Sequence, residues 1–426
     1  MRIAVVSLHY APEPTGNAPY VADLVNGLAS AGHDVTVITS QPFYPGWQRY
    51  KGYGPGRSAT NDSGVNVIRL RHYIPARPTA LKRLISELTA GAAAFVEGLH
   101  GADAAIFVSP AMFHAALASR RLSWRPKRSR APWVVWVQDL YTLGVKETGT
   151  AGGRAAAAIS RVESSMLRGA DRVVSIHERF TRFVIDSLGV SDAKVATIRN
   201  WSHIQASAAD PADRDSLGWR RDEYVVLHAG NQGLKQGLAN VVEAAKIAER
   251  RALPIRFVLL GDGNQRETLE KMGQGVSTIQ FLDPLPDELF FSTLTAADAL
   301  LVNELPDVRE MSVPSKLTSY FATGLPVIAS THRDSVTAEE IERSGGGVVV
   351  DGGNPDELVR MIVELSRDPH RSAALGAAGL RYRQEQLGRD VAITKFLALL
   401  DGMRSGPRDG SSRVTAPPTQ QTRDHG

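Results

Sequence analysis

The chain has 426 residues, 43% of them hydrophobic and 22% charged, which is the make-up of an ordinary globular protein too long for one core. It has no cysteine, which excludes disulfides, thiolate metal sites and a cysteine nucleophile. The net charge of +4 hides an asymmetry: residues 1–200 hold 24 basic and 14 acidic side chains, the remainder 25 and 31. A basic half points to an anionic partner, and charge alone does not choose between nucleic acid and anionic lipid.

Ile3–Leu8 is an apolar run of strand type, which makes the N-terminus a first buried strand rather than a signal peptide. A helix is expected over Tyr20–Ala29, closed by Gly32, and a second strand over Val35–Thr39. Further strands are expected at Val65–Leu70, Ala104–Val108, Trp133–Val137, Arg172–Ile176 and Val195–Ile198. The pattern restarts with strands at Tyr224–Ala229, Ile255–Leu260, Ala299–Val302, Pro326–Ala329 and Gly347–Val350. Helices are expected at Leu238–Arg250, 316–323, 354–366 and 388–402. Continuous apolar strands separated by helices indicate parallel sheets covered on both faces. The expected division is 1–200 and 201–404, the last helix returning to the first domain, with a disordered, polar tail at 405–426. No apolar run is long enough to span a bilayer.

Ligands of open parallel sheets bind beyond the carboxyl ends of the strands, so the loops there matter most. The first, His9–Pro19, contains Gly16 and Asn17 just ahead of a helix, without a dinucleotide fingerprint. Its counterpart, Ala229–Gly237, carries Gly230, Asn231, Gly233, Lys235, Gln236 and Gly237, a set able to cradle a diphosphate. It is not a P-loop, because the Gly-Lys-Ser/Thr ending is missing. Gly261 and Gly263 lie in another strand-to-helix loop, and Ser315 and Lys316 open a helix on which a first-turn cation makes sense beside an anionic ligand. Asp139 closes a strand and either binds an acceptor hydroxyl or caps the next turn. His114 and His177 read as packing or surface residues, and no histidine or acidic cluster has metal-ligand spacing.

Taken in order, these motifs resemble the family 4 glycosyltransferases of GT-B fold, above all the branch of colanic-acid glycosyltransferases and O-antigen N-acetylfucosaminyltransferases. The resemblance covers about residues 1–402. It is carried by Pro12–Gly16, Gly32–Thr39 with Pro42–Pro45, Arg199–Ser202, Gly230–Leu238, and Val313–Leu317 leading to Gly324–Ile328. It implies an α/β protein of two Rossmann-like domains facing across a cleft. It also implies retaining transfer of a hexosyl or N-acetylhexosaminyl unit from a nucleoside diphosphate sugar, without an obligatory metal or other cofactor. By the same resemblance Lys235 is the catalytic lysine that stabilises the departing diphosphate. The donor is met by Gly16, Asn17, Gly230, Asn231, Gln236, Gly237, Gly261, Gly263, Glu310, Ser315, Lys316 and Ser319, and Asp139 stands on the acceptor side.

The chain departs from the family pattern at several of these places. Asn231 stands where many members have arginine, and Gln236 takes the usual lysine position with Lys235 one residue earlier. Ser319 and Met311, the latter beside Glu310, replace the common pair of glutamates seven residues apart.

Leu81, Leu84, Ile85 and Leu88 share a helical face beside Lys82 and Arg83, and a basic cluster runs from Arg120 to Arg130 around Trp124. Such a surface suits anionic headgroups. With what the resemblance implies, the expected partners are a nucleotide sugar, a lipid-linked (polyprenyl-diphosphate) glycan acceptor and an anionic membrane surface, not nucleic acid. The expected location is the cytoplasmic face of the cell membrane, held peripherally. Two alternatives are a sugar-nucleotide epimerase of the same fold and a non-catalytic binding subunit; the sequence shows no carboxylate or histidine base cluster for the former.

Overall fold

The computed structural model describes residues 1–405 apart from 15, 149–152, 202–209 and 309–315. Two sheets account for it. The first contains β1 (Arg2–Val6), β2 (Asp34–Ser40), β3 (Ser58–Asp62), β4 (Val65–Leu70), β5 (Ala104–Val108), β6 (Trp133–Val137), β7 (Arg172–Ser175) and β8 (Val195–Thr197), in the order β3-β4-β2-β1-β5-β6-β7-β8. The second contains β9 (Tyr224–Ala229), β10 (Ile255–Leu260), β11 (Ile279–Leu282), β12 (Ala299–Asn303), β13 (Val327–Thr331) and β14 (Gly347–Asp351), ordered β11-β10-β9-β12-β13-β14. All pairings are parallel except β3 with β4.

The parallel order follows from composition. Val5, Val37, Ile106 and Val134 pack on one face of the first sheet, Val6, Ile38, Phe107 and Val135 on the other, so each central strand needs helical cover on both sides. Two strands escape the sequence reading. The β3 strand is exposed along its whole length and has no apolar face, and β11 is only four residues long. The helix Pro369–Gln386 was likewise not expected.

The last helix, Arg389–Ser405, crosses back to the first sheet. Phe396 meets Trp136 edge-on at 5.0 Å, within a core that also holds Ala392 and Leu400. Gly27, on the helix Ala18–Ser30, makes this crossing possible: a Cβ there would stand 2.3 Å from Ile393 Cδ1. The tail, for which the sequence leads one to expect disorder, falls outside the described residues beyond Ser405.

Candidate active site

The carboxyl ends of both sheets converge on one cleft. A cavity of about 400 Å³ is lined by Gly16 and Asn17 after β1, Pro110 after β5, Gln138 and Asp139 after β6, His177 after β7 and Asn200 after β8. From the other side come Lys235 and Gln236 after β9, Glu304 and Val308 after β12, and Thr318. Of the residues singled out in the sequence, the cleft thus gathers Gly16, Asn17, Asp139, Lys235 and Gln236.

Buried carboxylates build the wall on the side of the first sheet. Glu13 Oε1 accepts the N–H groups of Phe43 (2.8 Å) and Tyr44 (2.9 Å), and its Oε2 pairs with His9 Nδ1 at 2.7 Å. This explains the Pro-Glu-Pro motif, whose glutamate staples the turn at Pro42–Pro45 beneath Gly16. Glu163 accepts from the N–H groups of Tyr141 (2.9 Å) and Thr142 (3.0 Å), capping the helix Tyr141–Thr148 just after Asp139. Glu87 accepts the Phe113 N–H at 3.0 Å and a short hydrogen bond from the Tyr141 hydroxyl. Burial lifts the carboxyl pKa of Glu163 above its usual range and that of Glu87 to about 7. Asp139 faces the cleft, where crowding by protein raises its pKa. The Leu140 N–H and the charge of Lys235 oppose that rise, so the two side chains sense each other across the opening.

Cations and glycines build the wall on the side of the second sheet. Lys235 is exposed on a single turn, Leu234–Gln236, whose Lys235 carbonyl accepts the Leu305 N–H at 3.0 Å. Lys316 lies deeper, its Nζ 3.2 Å from Nε2 of the fully buried His228. His228 Nδ1 stands 3.1 Å from the Leu301 carbonyl, which needs a donor there, so Nε2 is left to accept from Lys316. Burial, then the neighbouring Lys316 charge, keeps this imidazole far below its usual pKa and hence neutral. Burial also pulls Lys316 down to about 8, against the charge of Glu304. Glu304 is itself raised by burial and accepts from Thr331 (2.7 Å) and Thr337 (3.0 Å).

The glycines of this wall divide. Gly230 has φ +119°, and Lys316 Nζ lies 3.6 Å from where its Cβ would be. Gly261 and Gly263, expected to meet the donor, are packed against protein where a side chain would be: a Cβ at Gly261 would stand 2.1 Å from the Gly230 carbonyl oxygen, one at Gly263 2.5 Å from that of Gln232. Both signal a close approach, but of loop to loop. Gly230, Asn231, Gly237, Lys316 and Ser319 do not line this cavity: Gly230 and Asn231 are exposed, Gly237 and Lys316 half-buried, and Ser319 buried on the helix Lys316–Ala322. Glu310 and Ser315 lie outside the described residues.

Residues that the sequence did not assign a task join the two walls. Arg199 donates to Glu340 at 2.6 Å and, in a short contact, to Glu178, and Tyr382 donates to the other Glu340 oxygen at 2.8 Å. Arg182 reaches Glu339 at 3.0 Å. Asn200 and Gln138 exchange amide hydrogen bonds of 2.7 and 3.1 Å, and Trp201 stacks on Trp136 while donating to Asp23 at 2.9 Å. Within the Arg199–Trp201 motif, Arg199 thus reaches the second half while Asn200 and Trp201 hold to the first. His177 lines the cleft with little exposure and caps the helix Glu178–Asp186 through Nδ1, whereas His114 is buried away from it. Among the described residues no group of three or more His, Cys, Asp or Glu could hold a metal ion.

Two Rossmann-like sheets whose carboxyl ends share one cleft define a protein of GT-B fold. Residues 15–201 match the glycosyl transferase 4-like domain and residues 209–381 the glycosyl transferases group 1. The chain is 32% identical over 415 residues to a putative colanic acid biosynthesis glycosyl transferase of Escherichia coli K12, an alignment covering 93% of this chain and 99% of that one. The chain belongs to the family 4 glycosyltransferases. Solved structures agree on the fold. They include sucrose-phosphate synthase from Thermosynechococcus elongatus (TM-score 0.71, 18% identity, 95% and 100% of the two chains covered) and Anabaena HepE in complex with UDP (TM-score 0.65, 15% identity, 94% and 100% covered).

Proposed function

We propose that the chain is a retaining glycosyltransferase that moves a hexosyl or N-acetylhexosaminyl unit from a nucleoside diphosphate sugar to a polyprenyl-diphosphate-linked glycan in cell-surface polysaccharide assembly. The observation that carries this reading is the facing of Lys235 and Asp139 across a cleft lined from both sheets. Lys235 neutralises charge on the departing diphosphate, an electrostatic contribution that grows as the bond breaks. Lys316 lies one layer deeper, held by His228 where an anion over Gly230 would feel its charge. Asp139 accepts a hydrogen bond from the attacking acceptor hydroxyl. In this reading residues 1–200 form the acceptor-side domain and 201–404 the donor-side domain, and the donor is a substrate, with no obligatory cofactor.

The membrane side of the reading rests on the helix Ala80–Glu97. Leu81, Ile85, Leu88 and Val96 are exposed along one face, Leu81 to 66% and Val96 to 77%, and Trp124 continues the stripe by meeting Phe95 edge-on at 5.8 Å. Lys82, Arg83 and Arg125 are exposed beside it. An apolar stripe with flanking cations suits peripheral docking on an anionic leaflet. Among the described residues no helix is long and apolar enough to cross a membrane. The named colanic-acid relative supports polysaccharide assembly as the setting.

The test is to supply the purified protein with radiolabelled nucleotide sugars one at a time, with lipid extract from the source cells, and to follow label into the organic phase. One donor should give label that mild acid releases, as a sugar on a polyprenyl diphosphate would. Label that stays in water for every donor would count against a lipid-linked acceptor.

A further inference from the structure

Beside the cleft lies a second cavity of about 810 Å³, twice the volume of the first. Its walls are the helices Ala80–Glu97, Tyr141–Thr148 and Gly153–Gly169, which contribute Leu84, Val145, Ile159 and Val162 among other apolar side chains. Pro110 and Asp139 line both cavities, so the groove opens directly on the acceptor side of the cleft. Glu87 also borders it but turns no free charge inward, since its oxygens are taken by the Phe113 N–H and the Tyr141 hydroxyl. Arg83 borders the groove, exposed, with its guanidinium 5.3 Å over the Trp47 ring. Leu81 lines the groove and also begins the exposed stripe that runs along the helix to Val96.

We propose that this groove holds the polyprenyl chain of the acceptor, with its diphosphate at Arg83 and its sugar at Asp139. The proposal rests on the lipid-linked acceptor argued above and adds where the lipid goes. Three observations select this occupant. The groove is continuous with the cleft, so a molecule whose sugar lies at Asp139 has its next groups at the groove mouth. Arg83, an exposed cation on the border of the groove, complements a diphosphate. The far side leads through Leu81 to the apolar stripe, so the remainder of a long chain passes from groove to bilayer without crossing water. The chain enters as a hydrocarbon and leaves unchanged; the groove fixes the register of the sugar and takes no part in bond breaking.

Titration calorimetry with farnesyl diphosphate on the full chain tests this, using inorganic diphosphate and lysophosphatidylinositol as contrasts. Farnesyl diphosphate should bind at least about thirty-fold more tightly than inorganic diphosphate, because each buried methylene adds affinity. Ala158→Glu places a carboxylate on the exposed groove wall with little risk to folding, and Ile159→Glu places one deeper. Each should weaken farnesyl diphosphate by roughly ten-fold or more, since a buried unpaired charge opposes the chain, and leave inorganic diphosphate unchanged. Equal affinity for farnesyl and inorganic diphosphate, or variants indistinguishable from the native protein, would overturn the groove assignment while leaving sugar transfer intact. Lysophosphatidylinositol binding as tightly, with the same sensitivity to both variants, would overturn the polyprenyl assignment. Groove binding without sugar transfer from any nucleotide sugar would support the lipid site and overturn the transferase reading on which its role as acceptor depends.

Discussion

The two walls of the cleft solve the same structural problem in opposite ways. Each is made of loops that leave parallel strands and enter helices, and such loops expose backbone N–H groups at helix starts. On the first wall internal carboxylates consume loop amides: Glu87 takes that of Phe113 and Glu163 those of Tyr141 and Thr142 at helix starts, and Glu13 those of Phe43 and Tyr44 in a turn. On the second wall Lys235 stands at the surface and Lys316 below it on a neutral His228, while the buried Glu304 accepts from the hydroxyls of Thr331 and Thr337 rather than from loop amides. The first wall spends its carboxylates on backbone amides, whereas the second keeps an exposed lysine at the opening. The proposed function assigns the first face to the acceptor and the second to the donor diphosphate.

The largest effect should come from the exposed cation. Lys235→Ala is expected to lower kcat by about 10²–10³-fold, the usual loss when one preorganised charge partner of a leaving group is removed. The melting temperature should stay within a degree or so of the native value, because Lys235 is exposed. A full-rate Lys235→Ala enzyme would remove the donor wall's asymmetry altogether. Next, Glu163→Ala leaves two buried amides without their acceptor and should cost about 3 kcal/mol in urea unfolding, with Glu163→Gln recovering part of it. Unchanged stability would mean that the first wall is not held by its carboxylates.

Two pH experiments sharpen the contrast further. Lys316 has its pKa lowered to about 8, chiefly by burial, so it loses its proton as pH rises through that value. Affinity for a nucleoside diphosphate should fall about ten-fold between pH 7 and 9, and binding near pH 8 should take up a proton, because an anion favours the ammonium form. Lys316→Met should flatten that slope. Glu87 behaves in the opposite sense. Its folded pKa of about 7 lies above the ordinary carboxylate value of 4.5, so the native state holds a proton that the unfolded chain has lost between those pH values. Stability from this group is therefore full below about pH 4.5 and lost as pH rises through 7, a change of about 3 kcal/mol. Glu87→Gln should remove it, as read from urea midpoints across that range.

Sequence and structure agree best where a signal is local. The central strands were legible because β-branched runs such as Trp133–Val137 have no reading other than a doubly covered strand. The polar edge strand β3 carries no such signal and is recognised only through its pairing with β4. At the site, Lys235 and Asp139 could be found because each follows a strand end. Arg199, Glu340 and Glu304 could not, since their partners lie 21 to 141 residues away and only folding brings them together. Gly261 and Gly263 teach a narrower lesson. A glycine in a strand-to-helix loop reports that something approaches closely, and here the approaching group is the Gly230–Gln232 backbone.

The central claim, that the second wall is built for a diphosphate, is tested most directly by thermal unfolding of the native protein and Lys235→Ala with a panel of nucleoside diphosphates and nucleotide sugars, without added metal. One base should stabilise the native protein selectively, by about 2.7 kcal/mol at a hundred-fold excess over Kd, and Lys235→Ala should lose most of that gain. No stabilisation by any nucleotide, or an equal gain in both proteins, would contradict the assignment of this wall to the donor.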